Sequence, residues 1–232
     1  MTEPDNTTNP PTVVAIDGPA ASGKSSVARR LASALAIDYV NTGEMYRAVT
    51  WAALRDGVDI GSETAVAAWV ATLDLDCRLK DGRSMILVEG EDPSARLSDD
   101  AVNRGVSWVA RVPLVRQLLV ECQRRLGREA PVVMEGRDIG SVVFPDTRFK
   151  FYIDASEEVR ARRREAQGIT DTVTMRDRMD SSRKNAPLMV AAGACVIDSS
   201  ELDLDQVVAR VLQQLAAWNY PADLLQRATP VT

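Results

Sequence analysis

An α/β fold is predicted: a parallel β-sheet core covered by helices on both faces, carrying a small antiparallel β insert. Three observations predict it. Short apolar strand-like runs alternate with helical runs along most of the 232 residues, the pattern of a sheet buried on both sides. The first apolar run, residues 12–16, passes through a glycine-rich turn into a helical stretch at 26–35. Between about residues 74 and 97 the alternation breaks into a hairpin pattern, which reads as an insertion.

The elements follow in order. Residues 1–11, rich in Pro, Asn and Thr, are expected to be a disordered tail. A strand over 12–17 leads to a helix over 23–36, and 37–40 read as a second strand. Thr42 is placed to cap a helix over 43–55, which Asp56-Gly57 ends. Ser62 is placed to cap a third helix over 63–73. Hairpin strands at 76–80 and 85–89 are joined by Asp81-Gly82-Arg83. Ser98 is placed to cap the next helix, and Pro113 opens another. Residues 131–134, 149–153 and 194–197 read as strands, with a helix from about 157 and a last one over 204–218.

The turn after the first strand carries chemistry. Gly18-Pro19-Ala20-Ala21-Ser22-Gly23-Lys24-Ser25 fits G-x-x-x-x-G-K-[ST] in the strand–loop–helix setting that a phosphate-binding loop requires. Its glycines let backbone N–H groups converge on a phosphate, and the helix N-terminus adds partial positive charge. Lys24 is placed to reach the β- and γ-phosphates of a nucleotide, and the Ser25 hydroxyl to ligate Mg²⁺.

Composition removes several alternatives. The formal net charge is −5, which argues against a nonspecific nucleic-acid binder. There is no histidine, so a His-dependent triad is excluded. Cys77, Cys122 and Cys195 are scattered without a C-x-x-C, which speaks against a disulfide framework or a zinc site. No apolar h-region opens the chain and no run approaches a membrane span. A cytoplasmic location is expected, with no membrane or nucleic-acid partner. Only four lysines, Lys24, Lys80, Lys150 and Lys184, stand against 24 arginines; genome bias and phosphate clamping by guanidinium groups both account for that.

In parallel sheets ligands bind beyond the carboxyl ends of the strands. The polar residues there are Asn41-Thr42-Gly43-Glu44-Met45-Tyr46-Arg47, Glu135-Gly136-Arg137-Asp138, and an arginine-rich helix after Ile153. In that helix Arg160, Arg163 and Arg164 share a face, either as phosphate contacts or as a solvated face paired with Glu157 and Glu158. The charged run from Arg176 to Lys184 is either a solvated loop or a mobile segment closing over phosphates.

These blocks, with Glu135-Gly136-Arg137-Asp138-Ile139-Gly140, Val142-Val143-Phe144-Pro145-Asp146, Asp180-Ser181-Ser182-Arg183 and Ala186-Pro187-Leu188, resemble bacterial cytidylate kinase over about residues 13–215. The G-R-D-I-G…V-V-F-P-D block is the discriminating part, since a phosphate loop alone fits many enzymes. The resemblance implies a P-loop kinase fold with a mobile lid at about 166–184. It divides residues 12–220 into a core of 12–41, 130–165 and 185–220 and an acceptor-binding region of 42–129, with 221–232 as a C-terminal tail. It implies transfer of the ATP γ-phosphoryl group to CMP or dCMP, with Mg²⁺, by a monomer.

Carried over residue by residue, Gly18, Pro19, Ala20, Ala21, Ser22, Gly23, Lys24, Ser25 and Ser26, with Arg163, would hold the donor. Thr42 and Tyr46 would meet the acceptor, and Arg47, Arg137 and Arg183 its phosphate. Ser107, Arg116 and Asp138 would read cytosine, and Arg176 and Asp180 the sugar. Ser107 and Arg116 remain open to a plainer reading as exposed helix polar residues. The catalytic set would be Lys24, Arg137 and Arg183. The segment from Gly168 to Met179 is shorter than its family counterpart, so the lid would have less helix. Two other readings stand beside this one. One is a P-loop kinase for UMP or a non-nucleotide hydroxyl; the other is a nucleotide-dependent switch, although no N-K-x-D motif is present.

Overall fold

The glycine-rich loop, the segments at residues 41–47 and 135–138, and the hairpin all hang from one seven-stranded sheet. The computed structural model describes residues 12–166 and 188–228. In chain order the elements are β1 (Val13–Asp17), α1 (Lys24–Leu35), β2 (Asp38–Asn41), α2 (Thr42–Arg55), α3 (Glu63–Val70), β3 (Leu75–Lys80) and β4 (Arg83–Val88). Then come α4 (Asp100–Val109), α5 (Pro113–Glu129), β5 (Val132–Gly136), a π-helical turn (Ile139–Val143), β6 (Phe149–Asp154), α6 (Glu157–Glu165), β7 (Cys195–Asp198), α7 (Leu204–Ala217) and α8 (Ala222–Leu225). The strand order is β3-β4-β2-β5-β1-β6-β7, parallel except for the β3–β4 pair.

Successive strand residues point to opposite faces, and β1 shows the consequence. Val13 and Ala15 enter one core with α2, α4 and α5; Val14 and Ile16 enter the other with α1 and α7. All five β1 residues are buried, which is why Val13 to Ile16 read as an unbroken apolar run before Asp17. Leu119 and Leu126 of α5 and Leu31 and Leu215 on the opposite face are fully buried, each contributing roughly 1.5–3 kcal/mol of burial energy.

The chain departs from expectation at several points. Asn41, not Thr42, caps α2, its side chain accepting from the Glu44 N–H; Thr42 is the first helical residue. Asp99 rather than Ser98 precedes α4, and α3 ends at Val70. The hairpin is antiparallel within itself, but it extends the main sheet: Tyr39 pairs with Arg83, and the Tyr39 N–H donates to Gly82 O at 2.9 Å. It is an added edge rather than a separate unit. Residues expected in a C-terminal tail include α8, whose Leu224 is buried on the α1–α7 face. The expected lid lies almost wholly outside the described residues, as do Arg176, Asp180 and Arg183.

Candidate active site

The carboxyl ends of β1, β2 and β5 meet the N-termini of α1 and α2 around a cleft of about 290 Å³. One wall is the loop between β1 and α1. Here Gly18 cannot be replaced by a residue with a side chain, because a Cβ would stand 2.1 Å from the Ile153 carbonyl oxygen. Gly23 stands at φ 91, where only glycine is at ease, and Ala21 is held at φ 59, a left-handed conformation that non-glycine residues adopt at a cost. The chain thus bends tightly between β1 and α1. Lys24 Nζ donates to Pro19 O at 2.9 Å across the loop.

Ser25 Oγ donates to Glu135 Oε1 at 2.8 Å. Glu135 is buried at the end of β5, opposite Ile16 in the register. The Tyr39 hydroxyl stands 3.5 Å from the same oxygen. Burial, then the Glu135 charge, raise the Tyr39 pKa, so Tyr39 stays a neutral donor. A hydroxyl and a carboxylate side by side are the hard oxygen donors that Mg²⁺ prefers.

The facing wall comes from α2, α4, α5 and the segment after β5. Thr42, Tyr46, Arg47, Ser107, Arg116, Arg137 and Asp138 all line the cleft. Arg116 Nη2 donates to Asp138 Oδ2, both residues are buried, and the guanidinium lies over the Tyr46 ring, 5.7 Å from its centroid. The exposed-helix alternative for Ser107 and Arg116 does not hold: they are 6% exposed each. Thr42 Oγ1 donates to Glu135 O at 2.8 Å, tying α2 to β5. Burial lowers the Arg47 pKa, with Glu135 opposing; its Nε donates to Asn103 Oδ1 at 3.4 Å.

Some expected residues stand elsewhere. Arg163 does not line the cleft. Its Nη1 donates to Ser22 O and Ser199 Oγ and its Nη2 to Ser199 O, at 2.8–3.2 Å, so it braces the phosphate loop from behind. Arg160 likewise holds Ala20 O and Ala155 O. Arg164 is the member of that trio that reaches the cleft, and it is buried. Gly18, Pro19 and Ser22 shape the loop without lining the cavity; Ala20, Ala21, Gly23, Lys24, Ser25 and Ser26 line it. Sequence reasoning assigned no role to Glu135; its signal was a carboxylate ending an apolar strand beside the phosphate loop.

In sum of charge, five cationic side chains, Lys24, Arg47, Arg116, Arg137 and Arg164, line the cleft with two carboxylates, Glu135 and Asp138. Such a cleft draws polyanions together. A phosphate loop on a parallel sheet, faced by clustered arginines across one cleft, defines a P-loop kinase.

The family model for cytidylate kinase matches residues 14–217. The chain is 44% identical to the cytidylate kinase of Rhodococcus jostii (strain RHA1) over 86% of its length and 93% of that protein's. It is 44% identical to the cytidylate kinase of Nocardia farcinica (strain IFM 10152), with 89% and 94% covered. A gluconokinase structure from Sinorhizobium meliloti 1021 aligns with 90% of this chain and 94% of its own at 15% identity and a TM-score of 0.45. The chain belongs to the cytidylate kinase family. It is a nucleoside monophosphate kinase, with ATP as phosphoryl donor. Among the described residues no helix is long and apolar enough to cross a membrane.

Proposed function

We propose that this cleft transfers the ATP γ-phosphoryl group in line to the phosphate of CMP or dCMP, with Lys24, Ser25 and Glu135 on the donor and Asp138 on the base. The supporting observation is the continuity of one cleft from the phosphate loop to the buried Arg116–Asp138 pair. The nucleophile is an acceptor phosphate oxygen that is already anionic, so no strong base is needed; the absence of histidine is consistent with that. A new P–O bond forms to the acceptor as the bond to the ADP oxygen breaks.

Each residue then has a task. The loop N–H groups and Lys24 neutralise charge on the β- and γ-phosphates. Ser25 and Glu135 would hold Mg²⁺, which would offset charge on the donor phosphates. Arg47, Arg137 and Arg164 receive the acceptor phosphate. Asp138, held by Arg116, accepts from the cytosine exocyclic amine, as carboxylates do when reading cytosine; Ser107 lines the same cleft. Arg176, Asp180 and Arg183 lie outside the described residues and keep the sugar and phosphate roles that the resemblance implies. The protein acts as a cytoplasmic monomer.

The test is Asp138→Asn. UMP presents a carbonyl where CMP presents an amine, and asparagine offers that carbonyl a donor. The CMP-to-UMP ratio of kcat/KM should fall by about tenfold or more, the size of one charge-assisted hydrogen bond, with the ATP KM little changed. An unchanged ratio would remove Asp138 from base recognition.

A further inference from the structure

Asp138 stands at the entry to the π-helical turn Ile139–Val143, the position from which an aspartate ordinarily caps its own turn. It makes no such cap. Its carboxylate takes Arg116 Nη2 instead. The first N–H groups of a helical turn have no partner within it, and here they are satisfied from a different strand. The Ile139 N–H donates to Asp17 Oδ1 and the Gly140 N–H to Asp17 Oδ2, both at 2.8 Å.

Asp17 is the last residue of β1, 2% exposed, directly before Gly18 of the phosphate loop. Burial pushes its carboxyl up to about 7, against the pull of those two N–H groups and of Lys24, with the Asp138 charge adding to the rise. Burying a carboxylate is unfavourable unless its oxygens are occupied; both are occupied, and both by the same turn.

We propose that Asp17 is a positioning residue for acceptor-base selection: it caps the turn after Asp138 in Asp138's place, and so keeps Asp138 on Arg116 and in the cleft. Without that cap, the nearest carboxylate able to serve the orphan N–H groups is Asp138 itself. Folding back to do so would take it off Arg116 and away from the base. One side chain would then tie the start of the donor loop to the acceptor-reading segment. The inference rests on the reading of Asp138 as the base-contacting residue.

The experiment is a kinetic double-mutant cycle. Asp17→Asn keeps the volume and one acceptor oxygen, but sets an NH₂ against one turn N–H. It should raise the CMP KM by about tenfold, the effect of one lost charge-assisted hydrogen bond, lower the CMP-to-UMP ratio, and change the ATP KM less than about twofold. On an Asp138→Asn background it should add less than about twofold, because the two residues act through one contact. Asp17→Ala, which removes both acceptors, is read in the same way should Asp17→Asn not fold. An equal rise in the ATP KM, or effects that multiply in the double mutant, would overturn the proposal. If Asp138→Asn alone alters base selection and neither Asp17 variant does, only the positioning role falls. If Asp138→Asn changes nothing, the base-reading role falls first and the positioning role with it.

Discussion

Lys24 spans its own loop to reach Pro19 O, 2.9 Å away, and is only 6% exposed. A buried ammonium held by a carbonyl of its own loop would act as a fixed charge beside a bound phosphate. Lys24→Ala should lower kcat by ~10²-fold or more, the usual effect of deleting such a contact, with the melting temperature close to that of the parent. Near-normal turnover in a folded variant would remove Lys24 from the mechanism. Neighbouring residues divide the labour in ways their sequence spacing does not announce. Arg163 and Arg164 are adjacent, yet one braces Ser22 and Ser199 and the other lines the cleft. Successive helical residues point about 100° apart, so only the docking of α6 decides which of them faces the cleft.

At the level of elements, much was legible because local chemistry determines it. The β1–loop–α1 unit, Pro113 at the start of α5 and Ser62 capping α3 all follow from short-range rules. What stayed hidden depends on residues far apart in the chain. Glu135 meets Ser25 across 110 residues of sequence, and Asp17 meets Ile139 across 122. The π-helical turn has no local signature, since its N–H groups are capped from β1. The hairpin read as an insert because its own pairing is antiparallel; its junction with β2 is a short contact at Tyr39 and Arg83, too brief to mark a sequence. Thr42 looked like a cap, but its hydroxyl goes to Glu135 O and Asn41 takes the capping role. Helix α7 offers a control away from the cleft. Asp203 and Gln206 form a reciprocal capping box, so Asp203→Ala should reduce stability by about 1 kcal/mol, lowering the melting temperature by about 2–4 °C. Its kinetics should match the parent; a changed CMP KM would show that α7 communicates with the cleft.

For the whole molecule, the buried Asp17 makes stability depend on pH in a direction opposite to that of an ordinary paired carboxylate. Its folded pKa is raised from 3.8 to about 7, chiefly by burial. The native state therefore binds this proton more tightly than the unfolded chain does. The stability so contributed is fully present below about pH 4 and is lost as pH rises through about 7. Asp138 and Lys24 are the charged neighbours, acting in opposite senses. Urea midpoints of the parent and of Asp17→Asn, compared from pH 5 to 8, should show the parent losing stability relative to the variant as pH rises. Parallel curves would mean that Asp17 titrates alike in both states.

If the cleft joins an ATP-holding loop to a base-reading carboxylate, as proposed, the enzyme should turn over only when a cytosine nucleotide fills the second half. The direct measurement is ADP release with ATP and Mg²⁺, in the presence of CMP, dCMP, UMP, AMP or GMP in turn and with no acceptor. CMP and dCMP should each give a kcat/KM at least about tenfold above that of the other three, the discrimination expected of one well-placed charged hydrogen bond, and ADP release without acceptor should be a small background. Equal rates with UMP or the purine nucleotides, or ADP release indifferent to any acceptor, would contradict the account.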